Sequence, residues 1–324
     1  MSIIPEQDQS LFITVASDEN YIQHLWVMLI SMLEHTSESQ NIKLYIIDGG
    51  ITEESKSKLL NYFSKKYGLY IIFSQINKDL YKNCKISHHV SQATYYRFSI
   101  PSIIPDHVKK VLYLDCDVVI KDDISKLWSF DLNDSLIGAI YNPFFNRFIE
   151  LNIDQNKGYF NAGVLLINLF LWRKLDISHK ALNFIDQNPE KIKMWDQDAL
   201  NAVIKGCWLK LSPRWNQQSA FFDFYFQKFY REKFYSKEEF QEALYNPAII
   251  HYSSMCKPWD YDNVHPYRNE YYRYLSQTPW SDFRPQPTPQ RIIKKIVKQY
   301  TPKVIFETMK ILQRRLKKAI GKEV

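Results

Sequence analysis

Glycine is scarce in this chain: 8 among 324 residues, with neither a G-x-G-x-x-G nor a G-x-x-x-x-G-K-[ST] pattern. The two common glycine-loop solutions for phosphate are therefore excluded, and any bound phosphate must be held by a metal and side chains. Cysteine is sparse as well. Cys84, Cys116, Cys207 and Cys256 stand apart with no C-x-x-C spacing, which argues against a zinc site or disulfide framework and fits a reducing compartment. No apolar run reaches membrane-spanning length and the first ten residues are polar, so neither a span nor a cleaved leader is expected. Excess basic charge is also missing from most of the chain. The net charge is +7, but residues 291–324 hold 11 Lys/Arg against 2 Asp/Glu, which leaves 31 bases and 33 acids elsewhere. The body offers no case for nucleic-acid binding.

Apolar residues make up 45% and aromatics 15%, enough to bury the core of one large α/β domain with an appendage. The most informative stretch is Val111–Ile120, in which Asp115-Cys116-Asp117 interrupts an apolar run. Such a run reads as a strand buried on both faces, as in a parallel sheet. Two carboxylates at the end of a buried strand need a compensating cation. Hard oxygen ligands suit Mn²⁺ or Mg²⁺, especially when a diphosphate shares the coordination. The alternative is a strand-end turn with solvated acids.

Strand and helix signals alternate from the start. Strands are expected at 11–16, 42–47, 69–73 and through the Asp115 run. Helices are expected at about 21–35, from Thr52 to about Tyr67, and around 91–99. Further elements follow at 136–140, 159–167, 178–187, 197–204, 208–211 and 248–252. The pattern predicts an α/β fold with a mostly parallel twisted central sheet flanked by helices. Ligands of such sheets bind beyond the carboxyl ends of the strands, where Ser17-Asp18-Glu19-Asn20 and Asp115-Cys116-Asp117 share an edge. The organisation reads as a catalytic domain over 1–265, an irregular extension over 266–290 and a basic amphipathic C-terminal segment over 291–324. In that segment Ile305, Met309, Leu312, Leu316 and Ile320 make an apolar stripe opposite Lys310, Arg314, Lys317 and Lys318. Such a helix suits an anionic bilayer surface. The alternative is a helix packed on the body with solvated lysines.

Five fragments carry a family resemblance: Ala16-Ser17-Asp18-Glu19-Asn20-Tyr21; Asp115-Cys116-Asp117; Phe160-Asn161-Ala162-Gly163 with the run to Asn168; Trp195-Asp196-Gln197-Asp198; and His251-Tyr252-Ser253-Ser254-Met255-Cys256-Lys257-Pro258-Trp259. Together, in this order over about three quarters of the chain, they resemble the family 8 retaining glycosyltransferases. That group includes glycogenin and the bacterial lipopolysaccharide α-galactosyl- and α-glucosyltransferases.

The resemblance implies a GT-A nucleotide-sugar-binding fold, a UDP-sugar donor, Mn²⁺ (with Mg²⁺ as the alternative), and transfer of glucose or galactose to a glycan hydroxyl with retention. It implies metal ligation by Asp115, Asp117 and His251, and a phosphate contact from Lys257. Ala16, Asp18 and Asn20 match donor-nucleotide contacts, Tyr21 the aromatic that stacks on uracil, and Arg97 a contact to the donor sugar. Asn161, Asp196 and Gln197 match the surroundings of the transferred sugar, with Asp196 and Gln197 in the catalytic positions. His89 falls at an acceptor contact.

A front-face mechanism is the favoured route to retention, with the Gln197 carbonyl facing oxocarbenium-like charge. One departure is Ser254 or a neighbour, where the family carries a glycine before the lysine. The acceptor expected is an oligosaccharide or lipid-linked glycan such as lipopolysaccharide, and the location is cytoplasmic, peripheral on the inner membrane face. Two other readings remain at this point. One is a haloacid-dehalogenase-like phosphatase with Asp115 as nucleophile. The other is a non-catalytic nucleotide-sugar binder.

Overall fold

The computed structural model describes residues 10–86, 92–143, 145–223 and 234–300. Its centre is a seven-stranded sheet built from β1 (Leu11–Ser17), β2 (Ile42–Asp48), β3 (Tyr70–Ser74), β4 (Lys110–Leu114), β6 (Ile137–Tyr141), β7 (Phe160–Asn168) and β8 (Trp208–Lys210), in the order β3-β2-β1-β4-β7-β6-β8. Only β7 runs against its neighbours; the other pairings are parallel. The sheet is covered on both faces, and strand alternation shows it. Ile13, Val15, Leu112 and Leu114 join one buried cluster, whereas Phe12, Val111 and Tyr113 join the other. Each such side chain, once fully buried, stabilises the fold by about 1.5–3 kcal/mol.

Helix α1 (Ile22–His35) lies on the first face, with Leu25, Trp26, Leu29 and Met32 inside. Asp18 starts the segment before it by accepting from Tyr21 N. The second long helical stretch begins at α2 (Glu53–Leu59), where the Thr52 side chain accepts from Ser55 N. It continues through a π-turn and stops at Gly68, whose φ of 65° suits a left-handed cap. On the second face lie α3 (Ile177–Gln187) and α4 (Trp195–Ile204).

Two features differ from the sequence expectation. The apolar run through Asp115 is not one strand. It breaks at the two carboxylates, and Val118–Ile120 becomes β5 of a separate three-stranded sheet with β9 (Gln217–Gln218) and β10 (Ile249–His251), ordered β5-β10-β9. Continuous hydrophobicity marks burial on either side of the break and carries no signal of the change of sheet. Nor is 266–290 irregular throughout. Helix α5 (Arg268–Leu275) buries Tyr271, Tyr274 and Leu275 in the α1 core. A last helix, α6, spans Pro289–Tyr300. The stripe from Ile305 to Ile320 lies outside the described residues.

Candidate active site

The break between β4 and β5 sets Asp115, Cys116 and Asp117 at the carboxyl edge of the sheet. The reversed strand β7 then brings its first residues to the same place, since Leu114 pairs with Val164 and Asp115 N donates to Gly163 O at 2.8 Å. The small sheet supplies the remaining piece. His251 pairs with Val118, and Tyr252 N donates to Asp117 O at 3.0 Å. Residues 136 positions apart in sequence, Asp115 and His251, thus meet because two sheets share one corner.

The nearest ligand atoms of Asp115, Asp117 and His251 lie within 4.8 Å of one another. His251 Nε2 is 3.3 Å from Asp117 Oδ1 and 4.0 Å from Asp115 Oδ2. Lys257 Nζ donates to Asp117 Oδ2 at 2.5 Å and to Tyr252 O at 2.7 Å. Burial alone would raise the Asp117 pKa, but Lys257 and His251 outweigh it and hold the carboxyl far below its usual range.

Gly163 makes the corner possible. A Cβ at that position would stand 2.4 Å from His251 Cε1 and 2.7 Å from Asp115 Oδ2. The sequence fragment contains this glycine, but only the structure gives its reason.

A chain of buried amides decides which His251 nitrogen faces the carboxylates. Backbone N–H groups can only donate, and two of them fix the chain's polarity. Ala162 N donates to Gln197 Oε1 at 3.0 Å, and Gly163 N to Asn161 Oδ1 at 3.0 Å. Asn161 Nδ2 must then donate to Gln197 Oε1 at 3.1 Å, and Asn216 Nδ2 to Asn161 Oδ1 at 2.9 Å. That leaves Asn216 Oδ1 to accept from His251 Nδ1 at 2.9 Å. Nδ1 is thereby committed to Asn216, and Nε2 is the nitrogen that faces Asp115 and Asp117, the orientation of a histidine ligand backed by a second hydrogen-bond partner. On this donor set, two carboxylates and an oriented imidazole, the residues fit a divalent cation such as Mn²⁺.

The chain continues beneath the other wall. Gln197 Nε2 donates to Tyr159 OH at 3.1 Å, and Tyr159 OH donates to Asp198 Oδ1 at 2.7 Å. Asp198 Oδ2 accepts from Arg147 at 2.6 Å and from Lys193 N and Met194 N. Asn216, Tyr159 and Arg147 are not readable as site residues from the sequence, and Asp198 stands in a motif fragment without a role of its own. No local motif marks a partner that matters only for the direction of its hydrogen bonds. The Gln197 carbonyl oxygen accepts from two donors within the protein, and the residue lines the cleft.

Arg97 is buried and braces the floor. Its Nε donates to Thr94 O at 3.0 Å, Nη1 to Ala162 O, and Nη2 to Asp115 Oδ1 at 3.0 Å. Its guanidinium lies 4.3 Å from the Tyr113 ring centroid. Three of its five N–H groups are thereby used within the protein, which leaves two for a ligand. Asp196 Oδ2 stands 2.9 Å from Arg97 Nε, yet that N–H points at Thr94 and the carboxylate oxygen accepts no hydrogen bond. Asp196 Oδ1 accepts from Thr94 Oγ1 at 2.7 Å. Burial raises the Asp196 pKa to about 6, partly offset by Arg97. Trp195, immediately before it, has φ 49°, a strained value for a bulky residue at the mouth of α4.

Ala16, Asp18 and Tyr21 line the same cleft as Asp115, Asp117, Arg97, Asn161, Asp196, Gln197, His251 and Lys257. Asn20, next to the turn that Asp18 caps, is exposed and is not among the residues that line the cleft. His89 lies outside the described residues. Ser254 Oγ donates to Cys256 O at 2.8 Å, so that hydroxyl is committed to its own loop, whereas Ser253 faces the cleft. The loop is anchored by Trp259, stacked 3.4 Å from His24 on α1. Burial drives the His24 pKa down to about 3, which keeps this ring neutral.

Residues 12–263 match the model of the family described as "Glycosyl transferase family 8". The chain belongs to glycosyltransferase family 8. The glycosyltransferase is 36% identical over 279 residues to General stress protein A of Bacillus subtilis, across 85% of this chain and 96% of that one. It is 26% identical over 282 residues to the lipopolysaccharide 1,2-glucosyltransferase of Escherichia coli, across 86% and 81% of the two chains. Among solved structures it resembles the galactosyltransferase LgtC in complex with donor and acceptor sugar analogues. The TM-score is 0.73 at 26% identity, covering 88% of this glycosyltransferase and 100% of that chain. The fold is accordingly GT-A, as the sequence led one to expect. Membership of this family removes the support for a dehalogenase-like phosphatase, and Asp115 Oδ1 is in any case occupied by Arg97 and Tyr113.

Proposed function

We propose that this glycosyltransferase moves glucose or galactose from a UDP-sugar to a hydroxyl of a cell-surface glycan such as lipopolysaccharide, with Mn²⁺ and with retention at the anomeric carbon. The observation that carries the reading is the meeting of Asp115, Asp117, His251 and Lys257 beside the buried Arg97–Asp196–Gln197 wall. A divalent cation held by the first three residues would neutralise diphosphate charge and so favour its departure. Lys257 supplies a further positive charge where the leaving UDP develops its own. Ala16, Asp18 and Tyr21 offer the cleft edge for the nucleotide.

Asp196 lines the cleft, but its Oδ2 is closed off beside Arg97 Nε, and Gln197 carries an amide, a poor nucleophile. Asp198 accepts four hydrogen bonds and is poorly disposed as a nucleophile. These features favour front-face substitution. The acceptor oxygen bonds to the anomeric carbon as that carbon's bond to the β-phosphate oxygen breaks, and the acceptor proton passes to the departing oxygen.

The acceptor is an oligosaccharide or a lipid-linked glycan. With it goes a cytoplasmic protein peripheral on the inner face of the cell membrane, held through the basic C-terminal segment. No helix among the described residues is long and apolar enough to cross a membrane. A panel of UDP-glucose and UDP-galactose with Mn²⁺, followed by UDP release and product anomeric configuration, tests the reading. Retained product with Mn²⁺-dependent UDP release is expected. Inversion, or turnover that is indifferent to Mn²⁺, overturns it.

A further inference from the structure

Helix α6 is docked the wrong way round for a helix of a globular domain. At about 100° per residue, Ile292, Ile293, Ile296, Val297 and Tyr300 share one side, with Arg291, Lys294 and Lys295 opposite. The cationic side is the one that meets the body. Arg291 Nη1 pairs with Asp260 Oδ1 at 2.7 Å, Lys294 Nζ with Asp262 Oδ2 at 3.2 Å, and Lys295 Nζ lies 4.6 Å from the Tyr261 ring centroid. Three cations thus grip three consecutive residues. The five apolar side chains are exposed, and none belongs to a buried cluster.

The gripped segment is the end of the loop that carries Lys257. Asp260 Oδ1 takes Arg291, while its Oδ2 accepts from Lys257 N at 2.9 Å, and Asp260 N donates back to Lys257 O at 2.9 Å. One carboxylate therefore joins the last helix to the residue that faces the metal-binding corner. The Arg291 and Lys294 side chains are 45% and 63% exposed, and their partners Asp260 and Asp262 20% and 4%. Cations this exposed are screened by water, so each pair contributes about 1 kcal/mol and the grip in free solution is weak.

We propose that the outward face of α6 lies on an anionic bilayer surface and that this docking tightens the donor site through Asp260. The proposal rests on the donor reading above and adds its regulation. A bilayer is the occupant the charge pattern selects. The sequence after α6, residues 301–324, holds seven Lys/Arg and two Glu, in a protein whose first 290 residues are slightly acidic. Apolar area with cationic flanks is what interfacial segments use, and each basic residue near anionic lipid adds about 1 kcal/mol. Seating Ile293 and Ile296 in the interface immobilises α6. Its cations then stay on residues 260–262, and the Lys257 loop is ordered before UDP arrives, so that ordering no longer weakens binding.

The test uses the full chain, UDP with Mn²⁺, and vesicles of phosphatidylcholine with or without phosphatidylglycerol. Wild type is expected to sediment with the anionic vesicles only, and Ile293→Asp/Ile296→Asp to stay in the supernatant with its vesicle-free UDP affinity unchanged. Saturating anionic vesicles are expected to tighten UDP binding to wild type about fivefold or more, the lower range of coupling between sites. Repulsion between UDP and the anionic surface works against this change and cannot imitate it. Arg291→Gln/Lys294→Gln is expected to sediment but to show no tightening. Tightening in that variant, or sedimentation of wild type with unchanged UDP affinity, overturns the coupling and leaves lipid docking in place. Wild type that fails to sediment, or that instead forms a concentration-dependent dimer abolished by Ile293→Asp/Ile296→Asp, overturns the bilayer as occupant. Absence of Mn²⁺-dependent UDP binding with and without vesicles removes the donor reading and the coupling together.

Discussion

Charge pairs hold both the Asp115–Asp117 corner and helix α6, yet the two places treat charge in opposite ways. At the corner the charges are interior: Arg97 is 3% exposed and Asp196 4%. Each is fixed by several partners, so geometry is set before any ligand arrives. At α6 the cations Arg291 and Lys294 stay exposed, and so does the apolar side of the helix. Buried charge is costly to leave unpaired, which makes the corner rigid and intolerant. Surface pairs are weak, which leaves α6 responsive to what covers it.

The contrast can be broken hardest at the corner. Asp117→Asn removes the carboxylate shared by Lys257 and His251. Turnover measured by UDP release is expected to fall at least about a thousandfold, or roughly 4 kcal/mol of transition-state stabilisation, with the circular dichroism spectrum retained. A folded variant with near-normal turnover would contradict the assignment.

The next effect is on stability and has a definite sign. Burial raises Asp196 from 3.8 to about 6, so the folded state favours its protonated form. Its contribution is therefore present below the unfolded value and lost as pH rises through about 6. In metal-free protein the unfolding free energy of Asp196→Asn should gain on wild type across that window. A displacement of roughly two pKa units corresponds to about 3 kcal/mol. Denaturant titrations at pH 4 and 7 check this, and a difference independent of pH speaks against it.

A smaller change separates orientation from ligation. Asn216→Ala leaves Asp115, Asp117 and His251 in place but removes the acceptor that holds His251 Nδ1–H. Mn²⁺ affinity by calorimetry is expected to drop about 10–100-fold, the usual scale for partners behind a ligand. Unchanged affinity would mean that the amide chain does not set the imidazole. Least of all should follow from Arg291→Gln, itself 45% exposed: under about 1 kcal/mol in chemical unfolding without lipid. A loss of several kcal/mol would show that α6 is part of the folded core.

How much of this was readable beforehand follows the same division. Asp115-Cys116-Asp117 was legible because a buried apolar run beside adjacent acids is a local contradiction that needs a cation. The order of strands and helices was legible from periodicity, and the family fragments brought His251 and Lys257 to the same site. The break between β4 and β5 was not legible, since apolar character continues through both strands. Nor were Asn216 and Tyr159, whose value lies in which end of an amide each one faces across three elements. Asn20 comes from the family resemblance, and the residue is exposed. For α6 the periodicity revealed a stripe, while the side that meets the body depended on Asp260 and Asp262 lying beside it in space.

The most direct test of the central claim is calorimetry of UDP binding with Mn²⁺ and with EDTA, for wild type and His251→Ala. If Asp115, Asp117, His251 and Lys257 form a metal-completed diphosphate site, wild type binds UDP with Mn²⁺, loses most of that affinity in EDTA, and His251→Ala shows the weak binding under both conditions. Equal UDP affinity in Mn²⁺ and EDTA for wild type contradicts the account.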